Sequence, residues 1–212
     1  VWGSQALGGV INIITTNTET QVTRAEIGVG SYGQKSTRVK SNWGADSTEV
    51  SVSAGYLEED GFSTLERRFD GVGSSDEAQA GYEKDPYRER TLMFKAKTRI
   101  RDIHEIKVSI LDIDSTLNYD ATWGLGPNAT LKRDTELTQL ILTHDAKLAP
   151  DRVLTTQLSK VTNDRLQDTS DATSTYKGSQ TTASQKYQTF GNHWQATYAL
   201  SISQDTLDSS WG

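Results

Sequence analysis

The stretch that decides the fold is Glu49-Val50-Ser51-Val52-Ser53-Ala54-Gly55-Tyr56, in which apolar and polar residues alternate. Successive side chains of a β-strand point to opposite faces, so the apolar members of this stretch share one face. Residues 37–43, just before it, alternate in the same way. Between the two segments lies Gly44-Ala45-Asp46, which suits a tight connection. Together these residues predict an antiparallel hairpin.

Alternation continues on both sides of this hairpin. Upstream, Ala25, Ile27 and Val29 alternate with polar residues. Downstream, the alternating segments are residues 92–100, 106–110, 140–142, 154–158 and 194–203. Turn sequences at residues 101–102 and 150–151 join neighbouring segments, and residues 204–205 are expected to turn into a final partial strand. The pattern predicts an all-β, antiparallel fold of roughly eight strands plus a partial one.

Three polar stretches separate the hairpins, and they span residues 58–87, 114–134 and 163–184. Short connections therefore alternate strictly with long ones along the predicted sheet. This rhythm is typical of a transmembrane β-barrel, in which turns are short on one side of the membrane and long on the other. The alternative is a secreted up-and-down β domain in which three of the loops are long.

Composition excludes several classes of protein. No run approaches the roughly 18 apolar residues of a spanning helix, whereas a barrel strand needs only every second residue to be apolar. The chain has no cysteine, which removes disulfides and thiolate chemistry. The net charge of -6 and the lack of a basic stripe argue against a nucleic-acid partner. No sequence motif of a hydrolase, phosphate loop or metalloprotease is present, so we predict no catalytic residues and no enzyme.

The first sixteen residues combine a glycine turn with a strand. Gly8 and Gly9 permit positive φ angles and a close approach of the backbone. They precede Val10-Ile11-Asn12-Ile13-Ile14, a mostly β-branched run that is typical of a buried strand.

This opening resembles the end of the plug domain in TonB-dependent outer-membrane receptors. The residues that carry the resemblance are Gly3, Ser4, Gly8, Gly9 and Asn12. The chain departs from the family pattern at Gln5, Leu7 and Thr16, where Asp, Ile and Lys are frequent. The resemblance implies that residues 1–17 end a plug and that residues 18–212 begin a transmembrane barrel of about 22 strands. The chain is then expected to be a fragment, with its signal peptide and TonB-contacting segment upstream.

The function that this resemblance implies is ligand-gated active import across the outer membrane of a Gram-negative bacterium. The substrate would be a scarce chelate, either a ferric siderophore or cobalamin. The implied partners are TonB, the chelate and outer-membrane lipid. A passive porin and a secreted binding or adhesion domain are the alternatives, and the opening motif argues against the porin.

Ligand-binding candidates lie in the long polar stretches and at their borders. Arginine and tyrosine side chains can hold an anionic, conjugated ligand by charge and stacking. The predicted residues are Arg67, Arg68, Tyr82, Tyr87, Tyr119 and Trp123. The same residues also fit a solvated surface loop.

A possible calcium site comprises Asp112, Asp114, Asn118 and Asp120, whose hard oxygen atoms suit Ca²⁺. Their spacing does not match an EF-hand, but the stretch Asn118-Tyr119-Asp120 loosely resembles the calcium-binding loops of cobalamin receptors. A solvated acidic loop is the alternative. His104, His144 and His193 lack a second ligand two or four residues away, so they are predicted to be strand-face or interfacial residues.

Two sets of strand residues receive opposite predictions. The polar set is predicted to line the barrel interior and to hydrogen-bond the plug, and it comprises Arg24, Glu26, Arg38, Lys40 and Glu49. The apolar set is predicted to face lipid, and it comprises Ala25, Ile27, Val29, Val52, Ala54 and Tyr56.

Overall fold

The computed structural model describes residues 21–61, 84–120, 130–168 and 172–211. These residues form one antiparallel sheet in which nine strands pair in the order of the sequence, and the sheet does not close. The strands are β1 Val22–Val29, β2 Lys35–Ala45, β3 Thr48–Glu59, β4 Tyr87–Ile100, β5 His104–Asp120, β6 Thr130–Ala149, β7 Arg152–Asp168, β8 Thr173–Phe190 and β9 Gln195–Trp211. A short 3-10 turn, Ser31–Gly33, follows β1. An open all-β sheet with sequential pairing is the geometry expected of a barrel fragment.

The connections divide between the two ends of the strands. At one end, which we call the short-turn edge, they are residues 46–47, 101–103, 150–151 and 191–194. At the other end, the loop edge, they are residues 30–34, 60–86, 121–129 and 169–172. The predicted turns at 101–102 and 150–151 are confirmed. The predicted strict alternation of lengths is wrong, because the first and last connections at the loop edge are also short.

The predicted strand count missed β8. The stretch 163–184 was expected to be a loop, but β7 continues through its first residues and β8 occupies most of the rest. Along Thr173–Phe190 polar side chains lie on both faces, so the alternation that marks a half-buried strand is missing. Backbone pairing with β7 and β9 holds this strand in place instead. The predicted turn at residues 204–205 is also wrong, because β9 runs through it.

The two faces of the sheet differ as predicted. Direct cross-strand partners lie on the same face, and Arg24 pairs with Lys40 while Glu26 pairs with Arg38. We call this side the polar face. On the opposite side, the apolar face, Ala25 pairs with Val39 and Val39 with Ala54. The residues predicted to face lipid all lie on the apolar face.

The sheet is a single layer. Ala146 is the only buried apolar residue in the described part of the chain, and no large side chain there is fully buried. Ile27 is 84% exposed and Leu200 is 75% exposed, although both belong to the apolar face. A soluble domain covers such a face with a second layer of secondary structure. In the described residues nothing covers it.

The apolar residues of this face form a band that crosses the strands obliquely. On β1 the band is centred on Ile27, whose row of cross-strand partners runs through Tyr56, Asp114 and Asp164 to Asp208 on β9. On β9, however, the band is centred on Leu200, eight residues nearer the short-turn edge than Asp208. Eight residues of strand span about 27 Å and eight strand spacings span about 38 Å. The strands are therefore tilted by roughly 35° from the perpendicular to the band, and the strands of a barrel tilt by about 35–45° from the barrel axis.

Aromatic side chains lie at the borders of the apolar band. Trp43, Tyr187 and Tyr198 lie toward the short-turn edge of their strands, and the rings of Tyr187 and Tyr198 are 6.4 Å apart between centroids. Tyr56 lies at the opposite border, near the end of β3. Lys160 also shares this face, and the tilt puts it on the loop-edge side of Leu158, outside the band. Such borders of aromatic residues are typical of transmembrane barrels.

Among the described residues, no helix has the length and hydrophobicity that are needed to cross a membrane.

Candidate ligand-binding site

The candidate site lies on the polar face, where β5 to β8 extend toward the loop edge. Its central residues are Tyr119 on β5, Arg133 on β6, Arg165 on β7 and Tyr176 on β8. Arg165 pairs directly with Tyr176, and Arg133 pairs with the residue two positions before Tyr119. The period of two along each strand therefore brings all four side chains to one face. We call them the tyrosine–arginine patch.

Each arginine of the patch lies over a tyrosine ring. The Cζ atom of Arg133 is 5.4 Å from the ring centroid of Tyr119. The Cζ atom of Arg165 is 5.3 Å from the ring centroid of Tyr176. A guanidinium over an aromatic face is stabilised by about 0.5–1 kcal/mol when exposed and by more when desolvated. Both pairs are therefore preformed.

The positive charge of the patch is uncompensated within the described residues. Neither Arg133 nor Arg165 has a described carboxylate oxygen within 4 Å, whereas Arg90 lies between Asp112 and Asp114. The Nε atom of Arg133 is buried and makes no hydrogen bond to any described group. A buried donor without a partner costs about 1–3 kcal/mol. An anion that accepted this hydrogen bond would remove that cost.

Asn163 adds an acceptor on the same face of β7 as Arg165. It lies on β7 two residues before Arg165, so it shares the polar face, and its Oδ1 atom is buried without a described partner. Its cross-strand partner on β8 is Gly178. This part of the polar face therefore carries one unmatched donor, Nε of Arg133, and one unmatched acceptor, Oδ1 of Asn163, which suits a ligand carrying both anionic oxygens and hydrogen-bond donors.

Local backbone features hold the two tyrosines. The hydroxyl of Tyr119 donates a hydrogen bond to the carbonyl oxygen of Asp168, which links the end of β5 to the end of β7. The ring of Tyr176 lies against Gly178, since a Cβ atom at residue 178 would be 3.2 Å from Cε1 of that ring. Glycine at this position leaves room for the ring to stack on Arg165.

The structure places two of the predicted ligand-binding residues on this face. Tyr119 belongs to the patch, and Tyr87 pairs with Leu117 on the same side of the sheet. The hydroxyl of Tyr87 donates to Oε2 of Glu89 at 2.5 Å. The other predicted ligand-binding residues lie outside the described residues, as does the whole plug motif; they are Arg67, Arg68, Tyr82, Trp123, Gly3, Ser4, Gly8, Gly9 and Asn12.

The residues of the predicted calcium site lie along β5 on the apolar face, beyond the apolar band. An Nη2 atom of Arg90 lies 3.8 Å from Oδ1 of Asp112 and 3.3 Å from Oδ2 of Asp114. Asn118 donates its backbone N–H to the carbonyl oxygen of Pro86 at 3.0 Å, and Asp120 ends the strand. In the described part of the chain, no group of three or more His, Asp and Glu side chains could hold a metal ion. Calcium binding therefore stays a prediction.

The predicted wall residues share the polar face, and most of them form ion pairs there with each other or with Lys97 on β4. Arg38 is 3.9 Å from Glu26, and Glu49 is 2.8 Å from Lys97. A shallow depression of about 290 Å³ lies between β1 and β4, with Glu26, Arg38 and Glu89 among its lining residues. The charged residues of this lining are two glutamates and one arginine, so the depression carries a net negative charge, whereas the tyrosine–arginine patch is positive.

The two described ends of the 60–86 connection are joined. Lys84 donates a hydrogen bond to Oδ2 of Asp60 at 2.8 Å, and the Lys84 ammonium lowers the pKa of that carboxyl. The backbone N–H of Asp60 donates to the carbonyl oxygen of Tyr32 at 2.9 Å. These contacts fix where the longest connection leaves and rejoins the sheet.

Sequence reasoning missed Arg133, Arg165 and Tyr176, because all three fell in stretches that were predicted to be loops. A period-two pattern of large polar residues was the available signal. Without the strand register, this pattern does not show that Arg165 and Tyr176 are neighbours.

No protein-family model matches the chain.

Proposed function

We propose that this chain forms part of the wall of an outer-membrane β-barrel. The observation that carries the proposal is the oblique apolar band. A bilayer requires the exposed apolar residues of all strands to lie at one depth, and barrel strands cross it at a tilt. The strand register and the positions of Ile27 and Leu200 meet that requirement with a strand tilt of roughly 35° from the perpendicular to the band.

A soluble sheet is a poorer explanation of the same residues. Large apolar side chains such as Leu200 would stay in water unless a second layer covered them. Covering by another sheet does not require an oblique band or aromatic borders. Lipid around tilted strands requires the oblique band, and the membrane interface favours the aromatic borders.

Within this class, we propose a TonB-dependent receptor that imports a scarce anionic chelate. The resemblance of residues 1–16 to the end of a plug supports gating by such a plug, and TonB would act on a segment upstream. The tyrosine–arginine patch would bind the ligand on the polar face, at the loop edge. Its uncompensated arginines and its tyrosine rings favour a ferric siderophore over cobalamin, because an anionic, conjugated chelate matches both features.

Uptake by cells that produce the full-length protein tests this function. Radiolabelled ferric siderophores and cobalamin would be compared in strains with and without TonB. We expect one ligand to enter only when TonB is present, while binding at the cell surface persists without it. Uptake that is independent of TonB would favour a porin and reject gated transport.

Variants of the patch test the binding site separately. We expect Arg133→Ala with Arg165→Ala to weaken surface binding of the transported ligand at least tenfold, since charge-assisted hydrogen bonds contribute about 1.5–3 kcal/mol each. Arg24→Ala on the same face of β1 is the matched control and should leave binding unchanged. Equal losses in the double variant and the control would reject the patch as the site.

A further inference from the structure

A pair of histidines lies on the apolar face at the short-turn edge. His104 begins β5, and His144 lies on the neighbouring strand β6, opposite Ile106. The Nδ1 atom of His104 is 3.1 Å from the Nε2 atom of His144, and the ring centroids are 5.2 Å apart. The sequence does not reveal that the two histidines form a pair, because forty positions separate them. Only the register of β5 and β6 brings them together.

The separation of the two nitrogens matches chelation of a metal ion. Imidazole nitrogens bind transition metals at about 2.0–2.1 Å, and two of them on one ion lie roughly 2.8–3.4 Å apart for bond angles of 90–110°. The observed 3.1 Å lies inside this range. We propose that His104 and His144 form a two-histidine site for a divalent late transition metal, with Cu²⁺ bound most tightly and water completing the coordination.

The scaffold around the pair is preorganised. β5 pairs with β4 and β6 with β7 at this level, so both histidines lie on internal strands of the sheet. Next to the pair, the backbone N–H of Lys147 donates to the carbonyl oxygen of Ile103 at 2.8 Å and ties the two strands together. Both rings are half-buried. The fixed backbone limits the rearrangement that metal binding requires.

Within the described residues, neither imidazole ring contacts a charged side chain. On the apolar face the neighbouring positions are occupied by Ile106, Ala146 and Thr156, and no described carboxylate contacts either histidine. Glu105 and Asp145 follow the two histidines in sequence but lie on the polar face, where both contact Lys107. The only described hydrogen bond of the two rings is the one between them. To bind an ion, the ring that donates this bond must shift its proton to its other nitrogen, which needs no net proton release.

Copper binding to the full-length protein, purified in detergent without a histidine tag, tests the proposal. We expect the wild type to bind one more Cu²⁺ than His104→Gln or His144→Gln, or to bind that ion at least tenfold more tightly. His193→Gln is the matched control, since residue 193 lies in the connection between β8 and β9 and should leave binding unchanged. Wild-type binding in either of the first two variants would overturn the proposal, as would an equal loss in the control.

Paramagnetic resonance of the wild-type copper complex gives a second readout that does not depend on the folding of a variant. Coupling of the unpaired electron to two equivalent imidazole nitrogens is expected. Coupling to fewer than two nitrogens at the tightest site would contradict the assignment. The two histidines and the tyrosine–arginine patch lie on opposite faces, so loss of metal binding is not expected to change chelate uptake.

Discussion

Leu142 is the side chain whose substitution tests the environment of the apolar band most sharply. It lies near the centre of the band on β6, between Val108 and Leu158, and is 39% exposed. Complete burial of a leucine side chain is worth about 1.5–3 kcal/mol, so lipid contact over this exposed fraction contributes roughly 0.6–1.2 kcal/mol. Arginine at the midplane on the lipid face of a barrel costs about 2–4 kcal/mol. We therefore expect Leu142→Arg to lower the free energy of unfolding by about 3–5 kcal/mol.

The matched control is Gln139→Arg on the same strand. Gln139 faces the opposite side, between Leu111 and Val161, and is already polar. A surface substitution of this kind usually changes stability by about 0.5 kcal/mol or less. The assay is urea unfolding of the full-length protein in phospholipid vesicles, followed by tryptophan fluorescence. A cost for Gln139→Arg equal to that for Leu142→Arg would refute the assignment of the two faces.

Leu142→Ala separates lipid from a covering protein layer. A packed protein layer would leave a cavity at the truncated side chain, at a cost of about 2–5 kcal/mol. Fluid lipid chains adapt to the shorter side chain, so we expect a cost below about 1.5 kcal/mol. A cost above about 2 kcal/mol would indicate that protein covers the band.

Two further predictions concern the loop edge. Gly178→Ala should weaken ligand binding severalfold in the surface-binding assay, because the new Cβ atom would press on the ring of Tyr176, whereas Gly55→Ala meets only ordinary contacts and should not. Lys84→Met should raise the pKa of Asp60, measured by NMR titration, toward its ordinary value. Because the pKa of Asp60 is lowered in the folded protein, this ion pair stabilises the fold above the ordinary pKa and is lost as the pH falls through the folded value. An unchanged titration of Asp60 would contradict the contact.

The sequence predicted the fold where one face of a strand is apolar. The alternation of Val50, Val52, Ala54 and Tyr56 with polar residues is a strong local signal, and the strands, hairpin turns and faces derived from it are confirmed. These features depend on residues that are adjacent or two apart. The information is therefore contained in a short window of sequence.

The missed features depend on contacts between distant residues. β8 lacks an apolar face along most of its length, so only its pairing with β7 and β9 reveals it as a strand. The tyrosine–arginine patch needs the register of four strands, and the histidine pair needs that of β5 and β6. The tilt of the strands relative to the apolar band likewise follows from the cross-strand register, because it appears only when the positions of the apolar residues on several strands are compared.

Depth-dependent quenching measures the tilt directly and is the first experiment to perform. The chain contains no cysteine, so Ile27→Cys, Leu200→Cys and Asp208→Cys each add one labelling site to it. A fluorophore at each site would be compared in vesicles with lipids brominated near the bilayer centre. We predict strong quenching at residues 27 and 200 and weak quenching at residue 208, although residue 208 shares its row with residue 27. Equal quenching at residues 27 and 208, or none at residue 200, would contradict a tilted barrel wall in lipid.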